Sequence, residues 1–205
     1  MRFILSEHSW ILDALSPAEW HLLSELPAIA AGIEFQDSTR ERLFPSPLAP
    51  DVVADANTIE QIEDWDELIR PELEETFASA RHIVEEDLKR FRQMPAADLA
   101  TEIHFHGEVE EYDDEFREEM EFIPSDETDF YRVEVPLEHT EAWYSTLNQA
   151  RILMNEEFNI ANSEERFIAR SGGIEGLDEV LMVLIAQYEL YSVVQSILVE
   201  NIMSD

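Results

Sequence analysis

Leu73-Glu74-Glu75-Thr76-Phe77-Ala78-Ser79-Ala80-Arg81-His82-Ile83-Val84-Glu85-Glu86-Asp87-Leu88-Lys89-Arg90-Phe91 sets the class of this chain. Leu73, Phe77, Ala80, Val84, Leu88 and Phe91 follow one another at steps of 4, 3, 4, 4 and 3. That period places them on one face of an α-helix, with the charged residues on the others. Met94-Pro95 stops it, because proline lacks an N–H and disfavours helix in the residue before it.

Working upstream, Ile59, Ile62, Trp65 and Leu68 recur about every third residue from Asn57, predicting another amphipathic helix that Pro71 interrupts or restarts. Residues 36–56 read as loop, with Pro45, Pro47 and Pro50 crowded around Phe44 and Leu48. Ser16-Pro17-Ala18-Glu19 is a helix start: Ser16 caps, proline occupies the first helical position, and Glu19 closes the capping box. Trp20, Leu22, Leu23 and Leu26 form its apolar face, and Pro27 lies where it should end. Residues 2–5 predict a short strand.

Downstream the period changes. Ile103 and Phe105 alternate with His104 and His106, and Tyr131, Val133 and Val135 alternate with Arg132 and Glu134. Residues 101–106 and 128–136 therefore read as half-buried strands paired with each other. Residues 108–129, between them, hold twelve acids and one base, Arg117, and read as an acidic loop or insertion. Trp143, Leu147, Ala150, Met154 and Phe158 return to helical steps. Gly172, Gly173 and Gly176 precede a last helix striped by Leu177, Leu181, Leu184, Tyr188, Tyr191, Gln195, Leu198 and Ile202. Val180, Met182, Val183, Ile185 and Val194 make that helix apolar on most sides, so it is central to a core or half-buried in a partner. The expectation is one domain over 1–205, mainly α (α+β): a helical, bundle-like domain with a small antiparallel β-sheet.

Charge narrows the functional classes. The chain carries 47 Asp+Glu against 13 Lys+Arg, a formal net charge of -34. Phosphate recognition needs clustered Lys and Arg, so direct nucleic-acid binding is excluded as an expectation. No cysteine is present, which removes thiol nucleophiles, disulfides and thiolate metal sites. Among the bases there are twelve arginines and one lysine, Lys89. Lysine depletion suits adaptation to high salt, but the preference for Glu over Asp suits a locally acidic surface better. Met1-Arg2-Phe3-Ile4-Leu5-Ser6-Glu7 is too short an apolar stretch for a signal peptide. Val180–Ala186, flanked by Glu179 and Glu189, falls short of the ~18 uncharged residues of a membrane span. The expectation is a cytoplasmic protein that does not engage membranes.

His104 and His106 form the one ligand-like pair. Two apart on a strand, they share a face with Glu102 and Glu108, a donor set that suits zinc, nickel or iron(II); the same residues equally make an ordinary polar face. There is no E-x-x-H, no H-E-x-x-H and no G-x-S-x-G. Gly172-Gly173-Ile174-Glu175-Gly176 matches no phosphate loop, and Glu175 would repel phosphate. His139 and Glu141 sit where capping is the ordinary role. Arg151, on the Trp143 helix, would most simply pair with a carboxylate, or else bind an anion. No catalytic set and no cofactor site emerges.

Three stretches carry a resemblance. They are Arg42-Leu43-Phe44-Pro45, then Val135-Pro136-Leu137 with Glu141-Ala142-Trp143-Tyr144-Ser145-Thr146-Leu147-Asn148-Gln149-Ala150-Arg151, and finally Tyr188-Glu189-Leu190-Tyr191-Ser192-Val193-Val194-Gln195-Ser196-Ile197-Leu198. In order, they resemble a bacterial domain-of-unknown-function family (DUF2017) whose genes often neighbour the ClpS protease adaptor. The resemblance brings no activity or catalytic residues. It implies a cytoplasmic helical domain and a link to protein turnover.

The leading expectation is a non-catalytic, adaptor-like interaction protein whose acidic face steers a basic protein partner. The alternatives are a metal-binding protein or metal-dependent enzyme built on His104 and His106, and a mimic of nucleic acid that occupies a basic protein. Homodimerisation is expected through Tyr188, Tyr191, Val194, Leu198 and Ile202 of the last helix.

Overall fold

The computed structural model describes residues 1–45, 56–95, 129–162 and 178–204. They form two compact units, one drawn from residues 1–21 and 87–137, the other from 22–86 and 138–205. The chain is mainly α with a small four-stranded antiparallel sheet.

The sheet belongs to the first unit. Its strands are β1 (Arg2–Leu5), β2 (Ser9–Leu15), β3 (Arg92–Met94) and β4 (Phe130–Pro136), in the spatial order β1-β2-β4-β3. β1 and β2 are a hairpin closed at Ser6–Ser9, where the Ser6 N–H donates to the Ser9 carbonyl at 2.8 Å. Trp10, Leu12, Val133 and Val135 alternate onto one face and are wholly buried. Leu12 is opposite Val133 and Leu15 is opposite Tyr131, so Asp13 and Ala14 together face Arg132 alone. This is a β-bulge, and Ala14 takes the left-handed conformation (φ 53°) that it requires.

The strand expected at 128–136 is present, but its described partners are β2 and β3. Residues 101–106, expected as that partner, and residues 108–128 of the acidic window lie outside the described residues. The helix that was to reach Phe91 ends earlier, at Leu88, and the chain turns into β3. Phe91 leaves the helical stripe to pack, tilted, against Trp20 (ring centroids 4.6 Å) and Tyr131 (5.8 Å). The capping box forms as expected: Ser16 Oγ accepts from the Glu19 N–H at 3.2 Å, and Glu19 Oε2 accepts from the Ser16 N–H at 2.8 Å. It starts helix α1 (Pro17–Ser24).

The second unit is helical. α2 (Leu26–Ala31) begins with Pro27 in its first turn, so this proline opens a second helix where the first has ended. Gly32 closes it in the left-handed conformation (φ 65°). Part of the expected 36–56 loop is helical: α3 (Asp37–Arg40) and the 3-10 turn Glu41–Leu43. α4 (Ala56–Asp64) and α5 (Arg70–Leu88) are joined by a π turn at Trp65–Ile69, where the Arg70 N–H reaches back to the Trp65 carbonyl. The widened turn explains why Pro71 does not end the helix. Proline supplies no N–H for the Glu67 carbonyl and would crowd it in a regular α-turn.

α6 (Thr140–Phe158) buries Trp143, Leu147, Ala150, Leu153 and Met154, with Phe158 at its exposed end. α7 (Glu179–Leu198) is capped by Asp178, whose carboxylate accepts from the Val180 and Leu181 N–H groups. With its terminal π turn this helix is long and apolar enough to cross a membrane by length and composition, with mean hydropathy 1.5. Glu189 falls near its middle; Ile185, Tyr188, Tyr191, Val194 and Leu198 are buried inside the chain, while Val180, Val183 and Val193 are exposed.

Candidate functional site

The sheet's second face is polar. Directly opposed residues on neighbouring strands share a face, and here Arg2 is opposite Asp13 while Arg92 is opposite Arg132. Across the four strands the row reads Arg2, Asp13, Arg132, Arg92. The bulge at Asp13–Ala14 lets one carboxylate serve two guanidinium groups. Arg2 Nε donates to Asp13 Oδ2 at 3.0 Å, and Arg132 Nε donates to Oδ1 at 2.8 Å. Asp13 has no solvent exposure. Burial works to raise its pKa, but the hydrogen bonds and charges of Arg132 and Arg2 outweigh it and hold the carboxyl below its ordinary 3.8.

The outer half of that row opens into a cleft of about 320 Å³, lined by His8, Ser9, Arg90, Arg92, Arg132 and Glu134. His8 projects from the β1–β2 turn, whose carbonyl accepts from the Leu137 N–H at 3.0 Å. Ser9 is buried, and its hydroxyl donates to Glu134 Oε1 at 3.1 Å. Arg90 lies 3.4 Å from buried Asp87. Arg92 forms no ion pair with any described residue and stands beside Arg132, a like charge. Three guanidinium groups and one carboxylate line the cleft in a chain of net charge -34; Arg132 and Arg90 have Asp13 and Asp87 beside them, and Arg92 has no carboxylate partner among the described residues. Guanidinium forks stay charged at any working pH and present paired donors matched to a carboxylate or phosphate. The cleft is equipped to bind an anionic group.

The residues singled out from the sequence fall elsewhere. His104, His106, Glu102 and Glu108 lie outside the described residues. Among the described residues no cluster of three or more His, Asp or Glu side chains is arranged to hold a metal. Tyr188, Tyr191, Val194 and Leu198, expected to face a second copy, are packed inside the second unit, and Ile202 is half-buried. The Tyr191 hydroxyl donates to the Leu22 carbonyl at 2.8 Å and accepts from Gln187 Nε2 at 3.1 Å. The apolar side chains that α7 exposes are others, Val180, Val183 and Val193. His139 holds the N-cap position of α6 without a side-chain capping bond. Arg151 meets no carboxylate among the described residues. It donates to Gln195 Oε1 and lies over the Tyr188 ring, 5.2 Å from its centroid.

The cleft was foreshadowed in the sequence by one signal: Lys89-Arg90-Phe91-Arg92, three of the chain's thirteen bases within four residues. Read as the polar side of a helix end, the run carries no message. The structure bends it into a strand beside Arg132.

Fold and site define a mainly helical protein with a small antiparallel sheet and an anion-receptive cleft on that sheet. The chain belongs to the family Domain of unknown function (DUF2017), whose model matches residues 7–202. Comparisons with curated proteins and with solved structures give no match.

Proposed function

We propose that this is a non-catalytic interaction protein whose arginine-lined cleft receives an anionic group, a carboxylate or phosphate, carried by an otherwise basic protein partner. The observation that supports it is the Arg92–Arg132 pair. Two like charges placed opposite each other across strands are destabilising, and no described carboxylate is spent on Arg92 although the chain has 47 acids. An incoming anion relieves that repulsion. The net charge of -34 supplies the other half of the reading, long-range attraction of a basic partner, screened over about 10 Å at 0.1 M salt. An adaptor-like role in the cytoplasm, within protein turnover, is the form of this reading that the family resemblance favours.

The test is a titration of the arginine side-chain Nε–H signals with sodium phosphate against sodium chloride at matched ionic strength. Saturable shifts confined to Arg90, Arg92 and Arg132, and weakened about tenfold or more by Arg92→Ala, are expected for the loss of a charge-assisted donor. Shifts spread evenly over all arginines, or unchanged in the variant, would overturn the proposal.

A further inference from the structure

The helical unit holds a second, different cleft. Two adjoining hollows, of about 450 and 630 Å³, share Ala31, Ala78 and Arg81 as their common wall. Alanines at these positions on α2 and α5 leave the space open. One hollow continues along Pro27, Ala28 and Ile33, and the other along Leu43 and Phe44. Phe44 is itself held in place, with its ring 5.6 Å from that of Phe77 and the Arg70 guanidinium 5.7 Å over its centroid.

Arg81 differs from the other cations here. Arg40 pairs with Asp37, and Arg70 pairs with Glu74 at 3.0 Å and with Asp66 at 3.9 Å. Arg81 instead donates through Nη1 to the amide oxygen of Gln149 at 2.6 Å, and no described carboxylate pairs with it. Gln149 is almost wholly buried and pinned at its other end, where Nε2 donates to Ser145 Oγ at 3.1 Å. The amide therefore aims the guanidinium without neutralising it. Arg81 is half-buried, and burial alone pulls its pKa down, as for a cation that lacks an anion.

We infer that this cleft binds a small organic monocarboxylate with an apolar body, its carboxylate on Arg81 and its hydrocarbon along Leu43 and Phe44. Pockets for small ligands combine apolar walls with one or two fixed polar groups in this way. The remaining charges select for a single negative charge. Asp37, Glu41 and Glu74 line the same hollow and balance Arg40 and Arg70, so a second negative charge on the ligand would meet repulsion. This cleft thus differs from the sheet's arginine row in chemistry as well as position, and the inference does not depend on that site.

The experiment uses the full chain, 15N-labelled and titrated with phenylacetate and with 4-methylpentanoate to about 20 mM, the weak-affinity range of such fragments. Phenylacetamide and inorganic phosphate are the controls. The expected result is saturable shifts at Ala31, Phe44 and Ala78 with at least one carboxylate and with neither control. Two variants discriminate. Arg81→Gln removes the cation, and Gln149→Glu supplies an internal carboxylate that occupies it while keeping the side-chain shape. Each is expected to weaken binding about tenfold or more. No saturable shift with either carboxylate, equal binding of the amide, or undiminished affinity in folded Gln149→Glu would overturn the inference.

Discussion

Replacing Asp13 by asparagine tests whether the sheet's charge row holds the first unit together. The substitution keeps volume, removes the negative charge and turns one of the two acceptor oxygens into an NH2 donor that faces a guanidinium. Arg2 is 38% exposed at its side chain, so water and salt replace most of its lost interaction, and it contributes about 1 kcal/mol at most. Arg132 is only 17% exposed and loses the carboxylate to which its Nε donates at 2.8 Å. Breaking a buried pair from one side costs about 3–5 kcal/mol, and the open cleft beside Arg132 places this case at the low end, about 3 kcal/mol. For a chain of this size that lowers Tm by about 6–12 °C.

The dependence on pH gives an independent reading. The folded pKa of Asp13 lies below its ordinary 3.8, so the folded state binds this proton less tightly than the unfolded state does. Its stabilisation is therefore complete above the ordinary value and is lost as pH falls through the folded one. Subtracting urea-unfolding curves of Asp13→Asn from wild type at each pH isolates Asp13: a difference of about 3 kcal/mol at pH 6 that shrinks below pH 4. The same variant removes a negative charge beside the cleft and is expected to bind phosphate more tightly while being less stable. A difference under about 1 kcal/mol, or one that does not shrink in acid, would refute the reasoning.

Three further perturbations follow from the backbone and the buried polar bonds. Ala14→Gly relieves the left-handed strain of the bulge, worth about 1–2 kcal/mol, against about 0.5–1 kcal/mol of added chain entropy. The expected outcome in chemical denaturation is a neutral to slightly stabilised protein. Gly32→Ala does the reverse: φ is 65°, and the new Cβ would lie 2.9 Å from Arg40 Cγ and 3.2 Å from Leu153 Cδ1. A loss of about 1–2 kcal/mol is expected, read as a lower thermal midpoint. Tyr191→Phe removes a buried hydroxyl whose two partners also bond each other, Gln187 Nε2 reaching the Leu22 carbonyl at 3.2 Å, so the loss should stay near 1 kcal/mol in urea unfolding.

The helices were legible because packing on one face imposes its period on the residues. Ala80, Val84 and Leu88 of α5, and Trp143, Leu147, Ala150 and Met154 of α6, are buried as their spacing predicts. β2 was not legible. Ser9, Trp10, Leu12, Asp13 and Leu15 are all buried, which is no period-2 pattern, because the bulge shifts the alternation and the carboxylate on the polar face is buried by its arginine partners. β3, three residues long behind a helical stripe, offers no pattern of its own. In α7 an apolar surface on most sides declares burial without saying which face is buried, so the Tyr188–Leu198 stripe read equally well as interface and as core. The cleft was hidden for a related reason. Arg92 and Arg132 are 40 residues apart in sequence, and only strand pairing brings them together.

Neutral amides mark where this acidic chain withholds charge. Gln149, Gln187 and Gln195 are each at least 94% buried and satisfied by hydrogen bonds. In the sheet unit the buried acids Asp13 and Asp87 have arginine partners. Beside Arg81 and Arg151 the chain places glutamine, although glutamate would reach as far and the composition is rich in it. A glutamate at 149 would meet Arg81 directly. Replacing a buried neutral partner by a paired charge is close to break-even, because desolvation offsets the Coulomb gain. Gln149→Glu should accordingly fold with stability within about 1 kcal/mol of the wild type while losing carboxylate binding. That outcome would show that the amide is kept for the cleft, in line with the expectation that local rules are broken at functional sites. A variant destabilised by 3 kcal/mol or more, beyond the break-even range, would show instead that the amide is required by the core.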